Sequence, residues 1–275
     1  SMNTDGSFTP LELEQERATI IRRLLTPTSL RRPDRPQAIL LGGQSGAGKT
    51  TLHRVCEKRL GNNTIVINGD EYRSKHPRFE ALKEAYGDDW VSYTAAWSGK
   101  LVEGLIDTFS RMGYNLVIEG TLRTSTVPLK TADLLRSRGY DVSLALMAVK
   151  PEISLISCQI RYEQMRVAGT TPRATDPAHH ARIVQDIASN LDELEHSGSF
   201  TGIRLYSRAG TCLWASEGDD DQSTPTRKKR SAKAPESASE ALRSILFGPW
   251  TEEERFHYDH LQQQLETLKG TQSQP

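Results

Sequence analysis

Residues 38–51 read Ala-Ile-Leu-Leu-Gly-Gly-Gln-Ser-Gly-Ala-Gly-Lys-Thr-Thr. The opening apolar run has the length and composition of a strand buried on both faces. From Gly43 to Thr50 the chain matches GxxxxGK[ST] in full, entered by that strand and followed by an amphipathic helix to about Arg59. Glycines there let the backbone curl so that successive N–H groups point at phosphate oxygens, and the helix adds its positive N-terminal end. Gly43, Gln44, Ser45, Gly46, Ala47, Gly48, Lys49, Thr50 and Thr51 are therefore the candidate nucleotide-binding residues. Lys49 would reach the β/γ-phosphates and the Thr50 hydroxyl would ligate magnesium, so ATP and Mg²⁺ are the expected cofactors.

Further strands and helices alternate on either side of this motif. Residues 64–68 (TIVIN), 115–120 (NLVIEG) and 141–149 (DVSLALMAV) are further buried-strand candidates; IRLYS and TCLWAS flank the turn Arg208-Ala209-Gly210. Helices are expected over 10–25, 90–112, 152–165 and around 181–195, and Thr251-Glu-Glu-Glu254 is a capping box opening a helix to about Lys269. Apolar strands alternating with helices predict an α/β fold: a P-loop kinase-like, mostly parallel sheet covered by helices on both faces, with C-terminal helices. The expected organisation is an N-terminal helix and connector (1–36), a P-loop kinase domain (37–216), a mobile polar loop (217–238) and a C-terminal helical appendage (239–275).

Composition narrows the class further. The 275 residues carry 35 basic and 35 acidic side chains, so global charge nominates neither nucleic acid nor a membrane as partner. No run of 18 apolar residues exists, and the start lacks a signal peptide's basic and apolar regions. Three scattered cysteines (Cys56, Cys158, Cys212) suit neither a zinc site nor a disulfide framework, and a reducing, cytoplasmic setting is expected. The basic run Arg227-Lys228-Lys229-Arg230 follows an acidic stretch closely and reads as a solvated loop rather than a nucleic-acid patch.

Ligands of an open parallel sheet bind beyond the carboxyl ends of its strands. Asp70 lies just past TIVIN, and Glu119 and Thr121 lie at the end of NLVIE, on the edge that the P-loop shares. A carboxylate in Asp70's position can accept a proton from an acceptor hydroxyl during phosphoryl transfer, or serve only as a loop cap or magnesium-side group. Arg161, Arg166 and Arg173 cluster near a helix end and could cover the developing phosphoryl charge, although charged helix faces are ordinarily just solvated. Trp90, Tyr93 and Trp97 read as packing residues, with Tyr93 able to border a sugar pocket; His53 and His76 have no partner at metal-ligand spacing.

Five ordered blocks carry a resemblance: GGQSGAGKTT, VINGDEYRSKHPRF, SGKLVEGLID, LVIEGTLR, and IRYEQM followed by Pro172-Arg173. Over roughly residues 10–215 the chain resembles the zeta toxin family of bacterial toxin–antitoxin systems, kinases of UDP-N-acetylglucosamine and related UDP-sugars. The resemblance implies that Lys49 and Thr50 hold ATP–Mg²⁺ and that Asp70 is the base for the sugar 3′-hydroxyl. It implies substrate contacts at Glu103, Glu119 and Thr121, with Arg123 a further contact, and ATP-side arginines at Arg161 and Arg173, the latter flanked by Arg166 and Arg182. A small, separate antitoxin protein is the implied partner, since the 36 residues before the first strand hold only one helix. Two other readings compete: a P-loop kinase of another acceptor (a polynucleotide 5′-hydroxyl, a nucleotide or an antibiotic), and a non-catalytic ATP-binding interaction protein.

Overall fold

The computed structural model describes residues 4–120, 122–170, 172–216, 235 and 237–275. Thr121, most of the expected 217–238 loop and the run Arg227–Arg230 lie outside the described residues. The chain runs α1 (Pro10–Leu24), β1 (Gln37–Gly42), α2 (Lys49–Arg59), β2 (Ile65–Ile67), α3 (Gly69–Tyr72), α4 (Phe79–Tyr86), α5 (Trp90–Tyr93) and α6 (Ala95–Met112). It continues through β3 (Leu116–Glu119), α7 (Thr126–Ser137), β4 (Asp141–Met147), α8 (Pro151–Val167), α9 (Pro177–His196), β5 (Gly202–Tyr206), β6 (Cys212–Ala215), α10 (Ala238–Phe247) and α11 (Glu252–Lys269).

These strands form one six-stranded sheet in the order β2-β3-β1-β4-β5-β6. All neighbours are parallel except β5 and β6, an antiparallel pair closed by the tight Ser207–Gly210 turn. Side chains alternate across the strands and sort the core into two layers. Ala38, Leu40, Leu116 and Ile118 pack beneath α1, α6, α7, α9 and α10, whereas Ile39, Leu41, Val117 and Met147 pack beneath α2, α8 and α11. Leu242 and Leu246 of α10 join the first layer, and Leu261 and Leu265 of α11 the second. The capping box before α11 forms as its sequence requires: Glu254 N–H donates to Thr251 Oγ1 at 3.0 Å, and Thr251 N–H to Glu254 Oε1 at 2.9 Å. Among the described residues no helix is long and apolar enough to cross a membrane.

One expectation is corrected: residues 90–112 are two helices, not one, parting at the buried Thr94. An unbroken helix would use the Val91 carbonyl for the Ala95 N–H. Here Arg73 Nη1 donates to that carbonyl at 2.6 Å and Thr94 Oγ1 at 3.1 Å, so side-chain donors displace the helical one. The break turns Trp90 and Tyr93 away from the α6 stripe. Trp90 meets Phe79 edge-on, Tyr93 stacks on Tyr86 with ring centroids 3.7 Å apart, and Trp97 alone of the three is fully buried.

Residues 69–94 thus make an arm that carries Asp70 beyond the sheet edge, and the N-terminal segment straps it down. His76 Nε2–H donates to Gly6 O at 2.8 Å while its Nδ1 accepts from Arg78 N–H at 3.0 Å, a neutral-ring arrangement in keeping with burial that lowers the His76 pKa. Arg78 also donates to Ser7 O and pairs with Glu12, and Phe8 packs edge-on against Trp97. Trp97 Nε1–H in turn donates to Tyr72 O at 3.0 Å. Trp97→Phe leaves that carbonyl unpaired inside the core, and we expect it to cost about 1–3 kcal/mol of stability in urea unfolding.

Candidate nucleotide and acceptor site

The P-loop is shaped by its glycines and held from behind. Gly46 and Gly48 have φ of +80° and +96°, which favour glycine, and a Cβ on Gly46 would lie 2.0 Å from the Ser154 carbonyl oxygen. Gln44 turns inward: its Nε2 donates to Val149 O and to Ser154 Oγ, both at 3.1 Å. His180, kept below its usual pKa by burial, places Nε2 3.0 Å from the same Ser154 hydroxyl. Ala47 is fully buried, and the Thr51 methyl lies under the Gly210 turn. Gln44, Ala47 and Thr51 therefore act through backbone and packing, and the side chains that reach the open cavity are those of Ser45, Lys49 and Thr50.

That cavity, about 560 Å³, runs along the carboxyl edge of the sheet. Asn68 caps α3 by accepting the Asp70 N–H at 3.2 Å, which fixes the backbone of Asp70. The Asp70 carboxylate is exposed at the cavity wall, with Arg73 Nε 3.4 Å away. Arg161 lines the same cavity from α8. Arg173, in the connection from α8 to α9, rests its guanidinium 5.5 Å from the Trp90 ring centroid and within electrostatic reach of Asp70 and Arg161. Arg166 is committed elsewhere, bonding Glu163, Leu268 O and Thr271 O. Of the three arginines in question, Arg173 is the one near Asp70, Arg166 is bonded to the end of α11 and Arg182 is exposed on α9.

Glu119 occupies the centre. Its side chain is 7% exposed, with Lys49 Nζ 3.0 Å from one oxygen and His53 Nε2 in short contact with the other. Burial pushes the Glu119 pKa up, but the His53 hydrogen bond and the Lys49 charge outweigh it and hold the carboxyl below its ordinary value of 4.5. A carboxyl with a lowered folded-state pKa contributes stability above its unfolded value and loses it as pH falls. Wild-type stability should therefore drop between about pH 5 and pH 3 more steeply than that of Glu119→Gln, measured by urea midpoints across that range.

Glu119 also lines a second cavity of about 310 Å³ between the β1 and β3 ends, α6 and α7, where Arg123 lies at the wall beside Thr124 and Val127. Leu122 closes its base in a left-handed conformation (φ +56°), its carbonyl held by Asn190 Nδ2 at 2.6 Å. Glu103 is not brought to either cavity: it is exposed on α6 and paired with Lys100 at 3.6 Å.

A family model described as Zeta toxin matches residues 22–219. The chain belongs to the zeta toxin family. Toxin PezT of Streptococcus pneumoniae is 44% identical over 221 residues, covering 80% of this chain and 81% of that protein. Toxin zeta of Streptococcus pyogenes is 40% identical over 182 residues, covering 66% of this chain and 63% of that one. A structure from the PezAT chromosomal toxin–antitoxin system of S. pneumoniae superposes with a TM-score of 0.82 at 37% identity, over 98% of this chain and 99% of that one.

In this zeta toxin family member Arg208 and His53 are among the cavity residues that the sequence did not mark as part of the site. Arg208, in the β5–β6 turn, donates through Nη1 to Gly46 O at 2.6 Å and Ser157 Oγ at 2.8 Å, pinning the outside of the P-loop. His53, one turn beyond Lys49 on α2, would have been visible only as an i, i+4 partner of the P-loop lysine.

Proposed function

We propose that the chain is an ATP-dependent kinase that phosphorylates the 3′-hydroxyl of UDP-N-acetylglucosamine or a related UDP-sugar in the cytoplasm. It would thereby act as a toxin on cell-wall precursor synthesis and be restrained by a separate small antitoxin protein. The observation that carries this reading is a carboxylate, Asp70, at the wall of a cavity whose floor is the P-loop, with a second cavity meeting the first at Glu119. Family membership and the similarity to toxins PezT and zeta support the toxin role.

The residues fit magnesium–ATP: a polar cavity of triphosphate size, a loop whose Gly46 leaves no room for a Cβ, and Lys49 with the Ser45 and Thr50 hydroxyls at its rim. Bound there, the nucleotide supplies the phosphoryl group and its metal offsets phosphate charge. The P-loop N–H groups and Lys49 hold and neutralise the phosphates, and Thr50 offers its hydroxyl to the magnesium. Asp70 accepts the proton of the acceptor hydroxyl as the phosphoryl group transfers, while Arg161 and Arg173 stabilise charge on the transferring oxygens. Arg123 would bind the acceptor at the second cavity, next to Glu119, and Thr121 would keep the acceptor contact that the family resemblance implies.

The test is ATP consumption with UDP-N-acetylglucosamine, UDP-glucose, a 5′-hydroxyl oligonucleotide or no acceptor, with product mass read for one added phosphoryl group. A singly phosphorylated UDP-sugar is expected. Turnover confined to the oligonucleotide, or ATP binding without any acceptor-dependent product, would overturn the assignment.

A further inference from the structure

The first cavity has a direction. Along the sheet edge stand Asp70 after β2, Glu119 at the end of β3, the P-loop after β1 and, past β4, Arg208 after β5. From β3 to β5 is three strand spacings, about 14 Å, enough to lay out a triphosphate and its ribose. The transfer end lies at Asp70, so whatever the triphosphate is attached to lies at the Arg208 end.

There the wall changes chemistry. Ser157, Ile160, Arg161 and Gln164 recur on one face of α8, and Leu261 and Gln264 on one face of α11. Ile160 and Leu261 are the only apolar side chains among the described residues lining this cavity. Both are more than nine-tenths buried and belong to the sheet's second core layer, so they form a rigid surface rather than a loose rim. A site for phosphate alone has no use for two apolar side chains flanked by two carboxamides; a flat heterocycle does. Each carboxamide sets a donor beside an acceptor, the pattern found along a nucleobase edge.

We propose that α8 and α11 form the nucleobase subsite of the phosphoryl donor, Ile160 and Leu261 packing against the heterocycle and Gln164 and Gln264 hydrogen-bonding its edge. The subsite rests on the nucleotide reading above and adds to it a wall from α11, a helix outside the 22–219 stretch that the family model matches. The C-terminal helix is then part of the ligand site as well as part of the core.

Calorimetric titration of the full chain with magnesium–ATP and with magnesium–tripolyphosphate, which keeps the phosphates and lacks the base, tests this. ATP should bind wild type about tenfold or more tighter than tripolyphosphate. Leu261→Ala should weaken ATP about five- to tenfold while tripolyphosphate changes less than about twofold. Because Leu261 also packs the core, the double variant Gln164→Ala/Gln264→Ala, at an exposed and a half-buried position, should give the same split with unfolding unchanged. Equal affinity of wild type for the two ligands, or parallel loss of both in the variants, overturns the base subsite and leaves the phosphate site intact. Failure of wild type to bind either ligand overturns the nucleotide reading itself.

Discussion

Asp70→Asn should lower phosphoryl transfer to UDP-N-acetylglucosamine by about 10²–10⁴-fold, the usual contribution of a positioned general base. The change is nearly isosteric, and the backbone at this position stays capped by Asn68. What is lost besides proton acceptance is an exposed ion pair with Arg73 at 3.4 Å, and such surface pairs contribute about 0–1 kcal/mol. Folding and magnesium–ATP affinity should therefore stay near wild type while product formation collapses. The measurement is single-turnover product mass beside a nucleotide titration. An Asp70→Asn enzyme turning over within about tenfold of wild type would remove Asp70 from the base role and leave it a loop carboxylate.

Lys49→Ala should cost about 10²–10³-fold or more in turnover for a different reason, loss of a fixed positive charge facing the phosphates. Here the structure predicts a second consequence. Glu119 is buried and depends on Lys49 and His53 to stay ionised, so removing the lysine strands a carboxylate in the interior. Lys49→Ala should then unfold at lower urea than wild type, and adding Glu119→Gln should recover much of that stability without recovering turnover. If the double variant is no more stable than the single one, the two side chains are not coupled as the geometry indicates. Stability and activity separate in this cycle, which an assay of the lysine alone would not reveal.

The fold was legible because its signals are local: apolar runs of strand length, a complete P-loop between strand and helix, and capping residues ahead of α11. The split at Thr94 was not, because it depends on Arg73 reaching a carbonyl eighteen positions away in sequence. Of the site, the P-loop residues and the carboxylates at strand ends follow from motif and topology. Glu103 was named only through family resemblance; the helix pattern alone made it a solvated residue, and it stands solvated on α6. Arg208, Leu261 and Gln264 carry no motif. They reach the cavity only because β5 lies two strands from β1 and α11 packs on α8, facts of tertiary order that no local window contains.

The strap of residues 6–12 bears on how the cleft can breathe. The arm that carries Asp70 is joined covalently to β2 and α6 and is held by Gly6 at His76 and by Ser7 and Glu12 at Arg78. Swinging the arm outward would break these contacts together. On the opposite side Arg173, between α8 and α9, rests over Trp90 of the arm. Widening the cleft on the Asp70 side would break the strap contacts at His76 and Arg78, whereas on the opposite side it would part the contact of Arg173 with Trp90.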